Sequence, residues 1–375
     1  MQQNTEQQNN DPFLDIRPYH DDEVPAAIGR LINDEEFITA ILKYRFPHFS
    51  GLAGWLLKPV LRQYLRSKWS KVKTVRDVQL HVASYMESMI KNTSDGLTTS
   101  GLDKLDPNQS YLFVSNHRDI AMDPAMVNWC LHLNGFDTVR IAIGDNLLKK
   151  PCATELMKLN KSFIVKRSAK GPREMMKALS QLSAYIKASL EEKQSIWIAQ
   201  KEGRAKDGND KTDPAILKMF FMEGRHRKEA FSDYVAQLRI VPVTISYEND
   251  PCDAAKANEL YRKQQEGGYE KGEFEDIESI VQGIVGQKRR IHVAFGDVIG
   301  EGFETPDLLA QEIDRQIYQN YHLFPSNYIA ADKTHESITD NDRALFDRKL
   351  SALPEGVAQI VKAMYAMPTA KKVDA

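Results

Sequence analysis

The chain has 375 residues, of which 42% are hydrophobic and 27% are charged. This composition excludes the collagen-like, low-complexity and globally disordered classes of protein. No apolar run approaches the roughly 18 residues of a membrane-spanning helix, and the polar N-terminus lacks the features of a signal peptide. Three widely spaced cysteines form neither a disulfide framework nor a zinc knuckle. We therefore expect a cytoplasmic protein that does not cross a membrane.

The net charge of -2 conceals a segregated basic block. Residues 1–11 predict a disordered tail, and residues 12–100 predict a helical, basic region. Within that region, residues 37–76 contain nine lysines and arginines and no acidic residue, so they carry +9 while the rest of the chain sums to -11. Such a block usually meets an anionic partner: a membrane surface, a nucleic acid or an acidic protein.

One helix of this block predicts an apolar stripe beside a basic stripe. The apolar stripe is formed by residues four apart: Leu57, Leu61, Leu65 and Trp69. The basic stripe has the same spacing and is formed by Lys58, Arg62 and Arg66. This pattern is typical of a helix that lies on an anionic membrane, and equally of a helix packed on its own domain with a solvated cationic face.

Further along the chain, short apolar runs of β-propensity alternate with segments of helical periodicity. The runs are residues 111–115, 138–144, 162–165, 195–199, 238–247 and 290–299. This alternation predicts an α/β fold with a mostly parallel sheet flanked by helices, a helical N-terminal region and a helical C-terminal extension. We place the central domain at residues 101–300 and the extension at residues 301–375.

A histidine with two nearby carboxylates follows the strand at 111–115. His117 is accompanied by Asp119 and Asp123 at a point where a strand enters a helix. Because the pKa of histidine lies near neutrality, a histidine oriented by a carboxylate is the usual general base. A lone histidine beside an aspartate is also commonly structural.

Basic residues follow two other strands. Lys166 and Arg167 come directly after residues 162–165, where two cations suit an anionic ligand group. The loop after residues 195–199 carries polar and glycine residues that can meet a ligand: Glu202, Gly203, Arg204, Lys206 and Lys211. Residues 207–213 look superficially like a calcium loop, but they lack the glycine at the sixth position. Each set is also compatible with a solvated loop.

A proline interrupts the strand-like run at residues 238–247. Pro242 cannot donate a ladder hydrogen bond, so it implies an edge strand, a bulge or a functional kink.

Taken in order, these four stretches resemble the glycerolipid acyltransferase family, which includes glycerol-3-phosphate and 1-acylglycerol-3-phosphate acyltransferases. The matching residues are Asn116, His117, Asp123 and Pro124; Phe163, Ile164, Lys166 and Arg167; Glu202, Gly203, Arg204 and Lys206; and Val241, Pro242 and Val243. The resemblance covers roughly residues 100–300. It departs from the family pattern in having five residues, not four, between His117 and Asp123, and none between Gly203 and Arg204.

The resemblance implies transfer of an acyl group from a thioester of coenzyme A or acyl carrier protein to a hydroxyl of glycerol 3-phosphate. His117 would be the general base, oriented by Asp123 or, alternatively, by Asp119. Arg167, Arg204 and Lys211 would hold the acceptor phosphate. The other predicted substrate-binding residues are Asn116, Arg118, Lys166, Glu202, Gly203 and Lys206. No metal or bound cofactor is implied.

Two other readings of the family motifs remain: a 1-acylglycerol-3-phosphate acyltransferase, and a non-catalytic lipid-binding protein of the same fold. For the basic block we expect residues 52–73, including Trp55, to lie on an anionic membrane, which makes the protein peripheral to the inner face of that membrane. Nucleic-acid binding ranks last, because aromatic residues are sparse in the block.

Overall fold

The computed structural model describes residues 11–45, 54–272 and 274–374. The chain divides into two compact units: unit 1 comprises residues 1–84 and 140–185, and unit 2 comprises residues 85–139 and 186–375. This division runs through the central domain expected at residues 101–300. The tail expected at residues 1–11 lies outside the described residues except for Asp11, whose carboxylate accepts a hydrogen bond from the Arg17 guanidinium.

The strands are β1 (Gly96–Ser100), β2 (Leu112–Ser115), β3 (Arg140–Gly144), β4 (Ser162–Val165), β5 (Ile196–Ala199), β6 (Ile240–Tyr247) and β7 (Arg290–Phe295). The helices up to the third motif are α1 (Val24–Asn33), α2 (Glu35–Arg45), α3 (Gly54–Trp69), α4 (Val75–Thr93), α5 (Met122–Leu133), α6 (Pro151–Leu159) and α7 (Pro172–Glu191). The later helices are α8 (Pro214–Phe220), α9 (Met222–His226), α10 (Phe231–Gln237), α11 (Asp253–Glu266), α12 (Glu275–Val285), α13 (Pro306–Asn320), α14 (Pro325–Ala330), α15 (Asp340–Ser351) and α16 (Glu355–Asp374).

Unit 2 contains a sheet with the strand order β1-β7-β6-β2-β5. All neighbouring strands in it are parallel except β6 and β7, which are antiparallel. Because β2, β5 and β6 run in the same direction, their carboxyl ends lie at one edge of the sheet. In unit 1, β3 and β4 pair in parallel. The predicted fold class is confirmed: helices flank mostly parallel strands, and helices precede and follow the strand-rich part.

The strands at the centre of the unit 2 sheet are apolar because both of their faces are covered. Every residue of β2 and β6 is buried. This is typical of parallel strands with helices on both sides, and it explains why their sequences are nearly continuous apolar runs. β1 differs, because its sequence GLTTS is mostly exposed. This segment falls within the region predicted to be helical, residues 12–100, and it is a strand that the apolar pattern did not reveal.

Pro242 lies inside β6, which has a neighbouring strand on each side. The antiparallel pairing with β7 begins only at Val243, opposite Phe295. On the β2 side, Pro242 is in register with Val114. Its missing N–H therefore removes no bond from the β6–β7 ladder, and its carbonyl accepts a hydrogen bond from the Gly296 N–H. An edge strand was one of the three alternatives predicted for this proline, and it is wrong, because β6 pairs with β2 on one side and with β7 on the other.

The helices of unit 1 enclose a separate hydrophobic cluster. Its buried members include Leu31 of α1, Ile38 of α2 and Leu65 of α3. Leu57, Leu61 and Trp69 pack against the same cluster. The stripe predicted to enter a membrane thus faces the interior of unit 1; residues 46–53 and the side chain of Trp55 lie outside the described residues.

The predicted basic stripe of α3 is also engaged within unit 1. Lys58 forms an ion pair of 3.0 Å with Glu35, and Arg62 binds the same carboxylate. Arg66 donates to the side-chain oxygen of Asn33 at 2.9 Å. The basic stripe, which was predicted to face a membrane, therefore contacts protein groups. It lies beside the apolar stripe, so the packing that buries the leucines also brings these cations to polar groups of α1 and α2.

Among the helices that the structure describes, none has both the length and the apolarity required to span a bilayer.

Candidate active site

The loop that follows β2 holds the predicted general base. The Nδ1 atom of His117 lies 2.9 Å from Oδ2 of Asp123. The Asp123 side chain is fully buried, whereas 13% of the His117 side chain is exposed. The two residues approach because β2 delivers His117 to the edge of the sheet and Asp123 lies in the first turn of α5, which begins at that edge. Of the two candidate carboxylates, the histidine is therefore paired with Asp123.

Asp123 is held by three further hydrogen bonds. Its Oδ2 accepts from the backbone N–H groups of Arg118 at 2.6 Å and Asp119 at 2.9 Å. Its Oδ1 accepts from the hydroxyl of Tyr247 at 2.9 Å. A carboxylate can only accept, so Nδ1 of His117 donates its hydrogen, and Nε2 is left as the nitrogen that can take a proton.

Asp119 has a different position from the one that a partner of His117 would need. Its Oδ1 accepts from the backbone N–H groups of Ala121 at 3.0 Å and Met122 at 2.9 Å. Asp119 therefore satisfies free N–H groups at the start of α5. Burial, followed by the nearby Asp123 carboxylate, raises the pKa of Asp119.

Asn116 joins β2 to β6 through its side-chain amide. Its side-chain oxygen accepts from the Ile245 N–H at 2.8 Å, and its amide nitrogen donates to the Ile245 carbonyl at 3.0 Å. The residue is fully buried. Its predicted contact with substrate is not supported by this geometry. The amide instead continues the ladder between the two strands at the point where His117 leaves the sheet.

Arg118 was predicted to bind substrate. In the structure its guanidinium is buried and bonds to protein groups. The residue is 7% exposed, and its Nη2 donates to Asp210 Oδ2 at 2.6 Å and to the Gly208 carbonyl at 3.1 Å. Burial lowers the pKa of Arg118, whereas the Asp210 carboxylate, together with Tyr321 and Asp250, raises it, and the net shift is upward. The Arg118 side chain thus binds the loop after β5 to the histidine loop.

The loop after β5 lies against the histidine loop. The Ala205 N–H donates to the His117 carbonyl at 2.8 Å, so Arg204 is next to a residue in contact with the histidine backbone. Gly203 has a φ of 77°, a conformation that L side chains rarely adopt. Glu202 and Gly203 are exposed. The third motif therefore meets the first at one edge of the sheet.

The cations of this loop differ in their surroundings. Lys206 forms an ion pair with Glu259 of α11, and Arg204 contacts the Ser279 hydroxyl of α12 at 3.4 Å. Lys211 is exposed. Arg204 and Lys211 retain the exposure that a ligand would require, while Lys206 is directed to a protein carboxylate.

The second motif belongs to unit 1. There, Lys166 binds the Asp15 carboxylate and the side-chain oxygen of Gln181. The Arg167 backbone N–H donates to Asp145 at 3.1 Å, and its guanidinium lies 3.5 Å from the Asn146 side-chain oxygen. Both residues follow β4 directly, as the sequence predicted.

Sequence reasoning missed three residues that surround the histidine: Tyr247, Asp210 and Trp197. Tyr247 ends β6, and its position at the carboxyl end of a strand parallel to β2 was a usable signal. Asp210 lies 92 residues from its partner Arg118, and no local pattern marks that pairing. Trp197 of β5 presents its ring to His117 with the centroids 5.8 Å apart.

The arrangement is a histidine with one basic nitrogen available, a buried carboxylate behind it, and a partly exposed arginine on the adjoining loop. It can accept a proton from a hydroxyl and stabilise the resulting imidazolium. Within the described residues, no group of three or more His, Cys, Asp or Glu side chains is arranged to hold a metal ion.

Residues 96–246 match the family model named Acyltransferase. A comparison with curated proteins finds no match. Among solved structures, the chain is similar to the 1-acyl-sn-glycerophosphate (LPA) acyltransferase PlsC from Thermotoga maritima, with 13% identity over 78% of this chain and 94% of the other. The TM-score is 0.39, too low to support an inference. All four motifs lie within the matched residues, so residues 96–246 of this chain are similar to the acyltransferase family.

Proposed function

We propose that this protein transfers a fatty acyl group from a thioester donor to a hydroxyl of glycerol 3-phosphate, with His117 as the general base. The observation that carries the proposal is the 2.9 Å contact between His117 Nδ1 and the buried Asp123 carboxylate. A non-catalytic lipid-binding protein of this fold would not need that pairing, whereas proton transfer from a hydroxyl does.

The reaction requires one proton to move twice. The acceptor hydroxyl attacks the thioester carbonyl while Nε2 of His117 takes its proton. The tetrahedral intermediate then collapses, the C–S bond breaks, and the imidazolium returns the proton to the leaving sulfur. Asp123 holds the imidazole in the required tautomer and stabilises the imidazolium, as a carboxylate does in a catalytic triad. Backbone N–H groups near Gly203 are our candidates for binding the oxyanion.

We assign the acceptor phosphate to cations that keep some exposure. Arg204 is next to Ala205, whose N–H bonds the His117 carbonyl, and Lys211 is exposed on the same loop. A guanidinium offers a planar pair of donors that matches phosphate oxygens. Arg167 of unit 1 is a further candidate for binding substrate, and this assignment rests on its motif alone.

The test is product analysis by mass spectrometry. Purified protein is incubated with acyl-coenzyme A or acyl carrier protein donors, and with glycerol 3-phosphate or 1-acylglycerol 3-phosphate as acceptor. We expect the monoacyl product from glycerol 3-phosphate, and a loss of at least about 100-fold in His117→Ala. His226→Ala, at an exposed histidine of unit 2, is the matched control. If the protein prefers 1-acylglycerol 3-phosphate, that compound replaces glycerol 3-phosphate as the proposed acceptor. If no pair of donor and acceptor gives a product, the non-catalytic lipid-binding function is favoured.

We also propose that unit 1 lies on an anionic membrane, through a face of α3 other than the one predicted from the sequence. Leu56, Val60 and Tyr64 follow one another at four-residue spacing, and they are 57%, 66% and 57% exposed. Exposed lysines follow them: Lys68 in the last turn of α3, and Lys71 and Lys73 just after the helix ends. An exposed apolar stripe continued by cations is typical of a helix at an anionic lipid surface.

Liposome flotation tests this assignment. Lys68, Lys71 and Lys73 changed together to Glu should weaken binding to anionic vesicles by more than a hundredfold, at about 1 kcal/mol for each cation lost. The same charge change at Lys218, Arg225 and Lys228 of unit 2 is the control, and it should leave flotation unchanged. Equal binding by parent and α3 variant would show that this face is merely solvated.

A further inference from the structure

A buried lysine lies beyond the acyltransferase match. Lys256 belongs to α11, which begins after residue 246, the last residue of the match. Only 1% of its side chain is exposed. A buried ammonium group is costly unless its hydrogens are bonded and its charge is paired, so the partners of Lys256 indicate what the residue is for.

Both polar partners of Lys256 belong to segments that follow a strand at the active-site edge. Its Nζ donates to the backbone carbonyl of Arg118 at 2.5 Å, and it forms an ion pair with the Asp250 carboxylate. Arg118 is the residue directly after His117. Asp250 follows β6, and its Oδ1 accepts from the Cys252 N–H at 2.8 Å, so the carboxylate is itself fixed.

Both backbone groups of Arg118, its N–H and its carbonyl, are therefore hydrogen-bonded to charged side chains. The Arg118 N–H donates to Asp123 at 2.6 Å, and the Arg118 carbonyl accepts from Lys256. The next N–H, that of Asp119, belongs to the same peptide group as this carbonyl and also donates to Asp123. Rotation of that peptide would withdraw the Asp119 N–H from the carboxylate that orients His117. The Lys256 bond opposes this rotation.

We propose that Lys256 is a positioning residue for acyl transfer: it holds the Arg118 carbonyl and thereby keeps the Asp123 carboxylate in hydrogen-bonding position for His117. This rests on the proposed function. Lys256 does not touch the reacting atoms, so its loss lowers turnover rather than substrate affinity. A displacement of about 1 Å in a catalytic group lowers rates on the order of 100-fold, which sets the scale of the effect.

The experiment compares the buried Lys256 with the partly exposed Lys349; their partner acids, Asp250 and Asp253, lie just before α11 and in its first turn. Lys256→Met alone leaves Asp250 unpaired, so the informative variant is the double change Lys256→Met with Asp250→Asn, which removes both charges. Lys349→Met is the matched control, because Lys349 forms an ion pair with Asp253 in the first turn of α11 and also bonds the Tyr365 hydroxyl. Melting temperature, kcat and both KM values are measured for each variant.

We expect the double variant to lose 10-fold to 100-fold in kcat with both KM values within threefold of wild type. Lys349→Met should lower the melting temperature and keep kcat within threefold. A folded double variant with kcat within threefold of wild type overturns the proposal. An equal loss of kcat in Lys349→Met also overturns it, because support of α11 in general would then explain both results.

A spectroscopic measurement separates this proposal from the proposed function. The side-chain nitrogen signals of His117 are assigned with His117→Gln in protein labelled at histidine. We expect the hydrogen-bonded Nδ1–H signal to shift or broaden in the double variant and to stay in place in Lys349→Met. An unchanged signal in the double variant overturns the positioning role. If wild-type protein acylates no acceptor, the proposed function fails, and the His117 signal still decides whether Lys256 positions the histidine.

Discussion

The two loops that carry the predicted site residues of unit 2 are stabilised in different ways. In the histidine loop, residues 116–123, side chains of Asn116, Asp119 and Asp123 bond backbone groups of the loop and of β6. In the loop after β5, Glu202 and Gly203 are exposed, and the cations point to separate partners or to solvent. Hydrogen bonds of its own side chains fix the geometry of the first loop, whereas the second loop exposes charged side chains to solvent.

This difference explains why the same kind of residue has opposite uses in the two loops. Arg118 has its guanidinium bound to Asp210, whereas Arg204 keeps partial exposure. An arginine in the histidine loop is part of the scaffold, and an arginine in the neighbouring loop is available to a ligand. Changes in the first loop should therefore affect turnover and stability, and changes in the second should affect binding.

The largest effect is expected at the carboxylate that orients the histidine. Asp123→Asn should lower kcat by about 10³-fold or more, because an amide cannot hold the imidazole in the same tautomer. Asp119→Asn should cost much less turnover and about 1 kcal/mol of unfolding free energy, since it weakens the start of α5. Steady-state kinetics and urea unfolding of both variants decide the point. A larger loss of turnover in Asp119→Asn would make Asp119 the partner.

The next largest effect concerns stability. Arg118→Met leaves the buried Asp210 carboxylate without its cation, so we expect a loss of about 3–5 kcal/mol in the free energy of unfolding. Arg118→Met combined with Asp210→Asn should recover part of that loss. Arg204→Met, in the exposed loop, should change the unfolding free energy by less than about 1 kcal/mol. Similar losses at the two arginines would remove the distinction between the loops.

A smaller effect is expected on substrate binding. Arg204→Lys keeps the charge but loses the planar pair of donors, so the acceptor KM should rise about tenfold while the donor KM changes little. Arg167→Lys is predicted to act in the same direction. Arg225→Lys, at an exposed arginine of α9, serves as the control. Equal rises in both KM values would assign these residues to the donor.

The smallest effect is expected at Gly203. Its φ of 77° disfavours any side chain, but no atom lies within 4 Å of the added Cβ, so Gly203→Ala should cost about 1–2 kcal/mol. Gly208→Ala should cost more, because its Cβ would lie 2.3 Å from the Met364 carbonyl oxygen. Thermal unfolding of the two variants tests whether the exposed part of this loop is the more tolerant. A greater loss at Gly203 would contradict it.

Much of the fold could be predicted because its central strands are buried on both faces. The runs that became β2, β4 and β5 were located to within one residue, since an apolar run bounded by polar loops has few other structures. β1 was missed for the opposite reason: its residues are polar and mostly exposed, and only pairing with β7 makes it a strand.

The site was predictable where the chemistry is local and unpredictable where it depends on distant partners. His117 and Asp123 are six residues apart, and the motif brings them together. The burial of Arg118 depends on Asp210, far along the chain, and no neighbouring residue indicates it. In α3, two apolar stripes lie one position apart, and only packing decides that Leu57 faces inward while Leu56 faces solvent.

The hydrogen bond from Lys256 to Arg118 joins two residues that are synthesised at different times. The two residues are 138 positions apart, and ribosomes add roughly 5–20 residues per second, so the histidine loop is synthesised on the order of ten seconds before the lysine. A nascent chain that has reached residue 250 contains all four motifs, yet the Arg118 carbonyl still lacks its cationic partner. Synthesis of this protein therefore completes the four motifs before it supplies the lysine that supports the first of them.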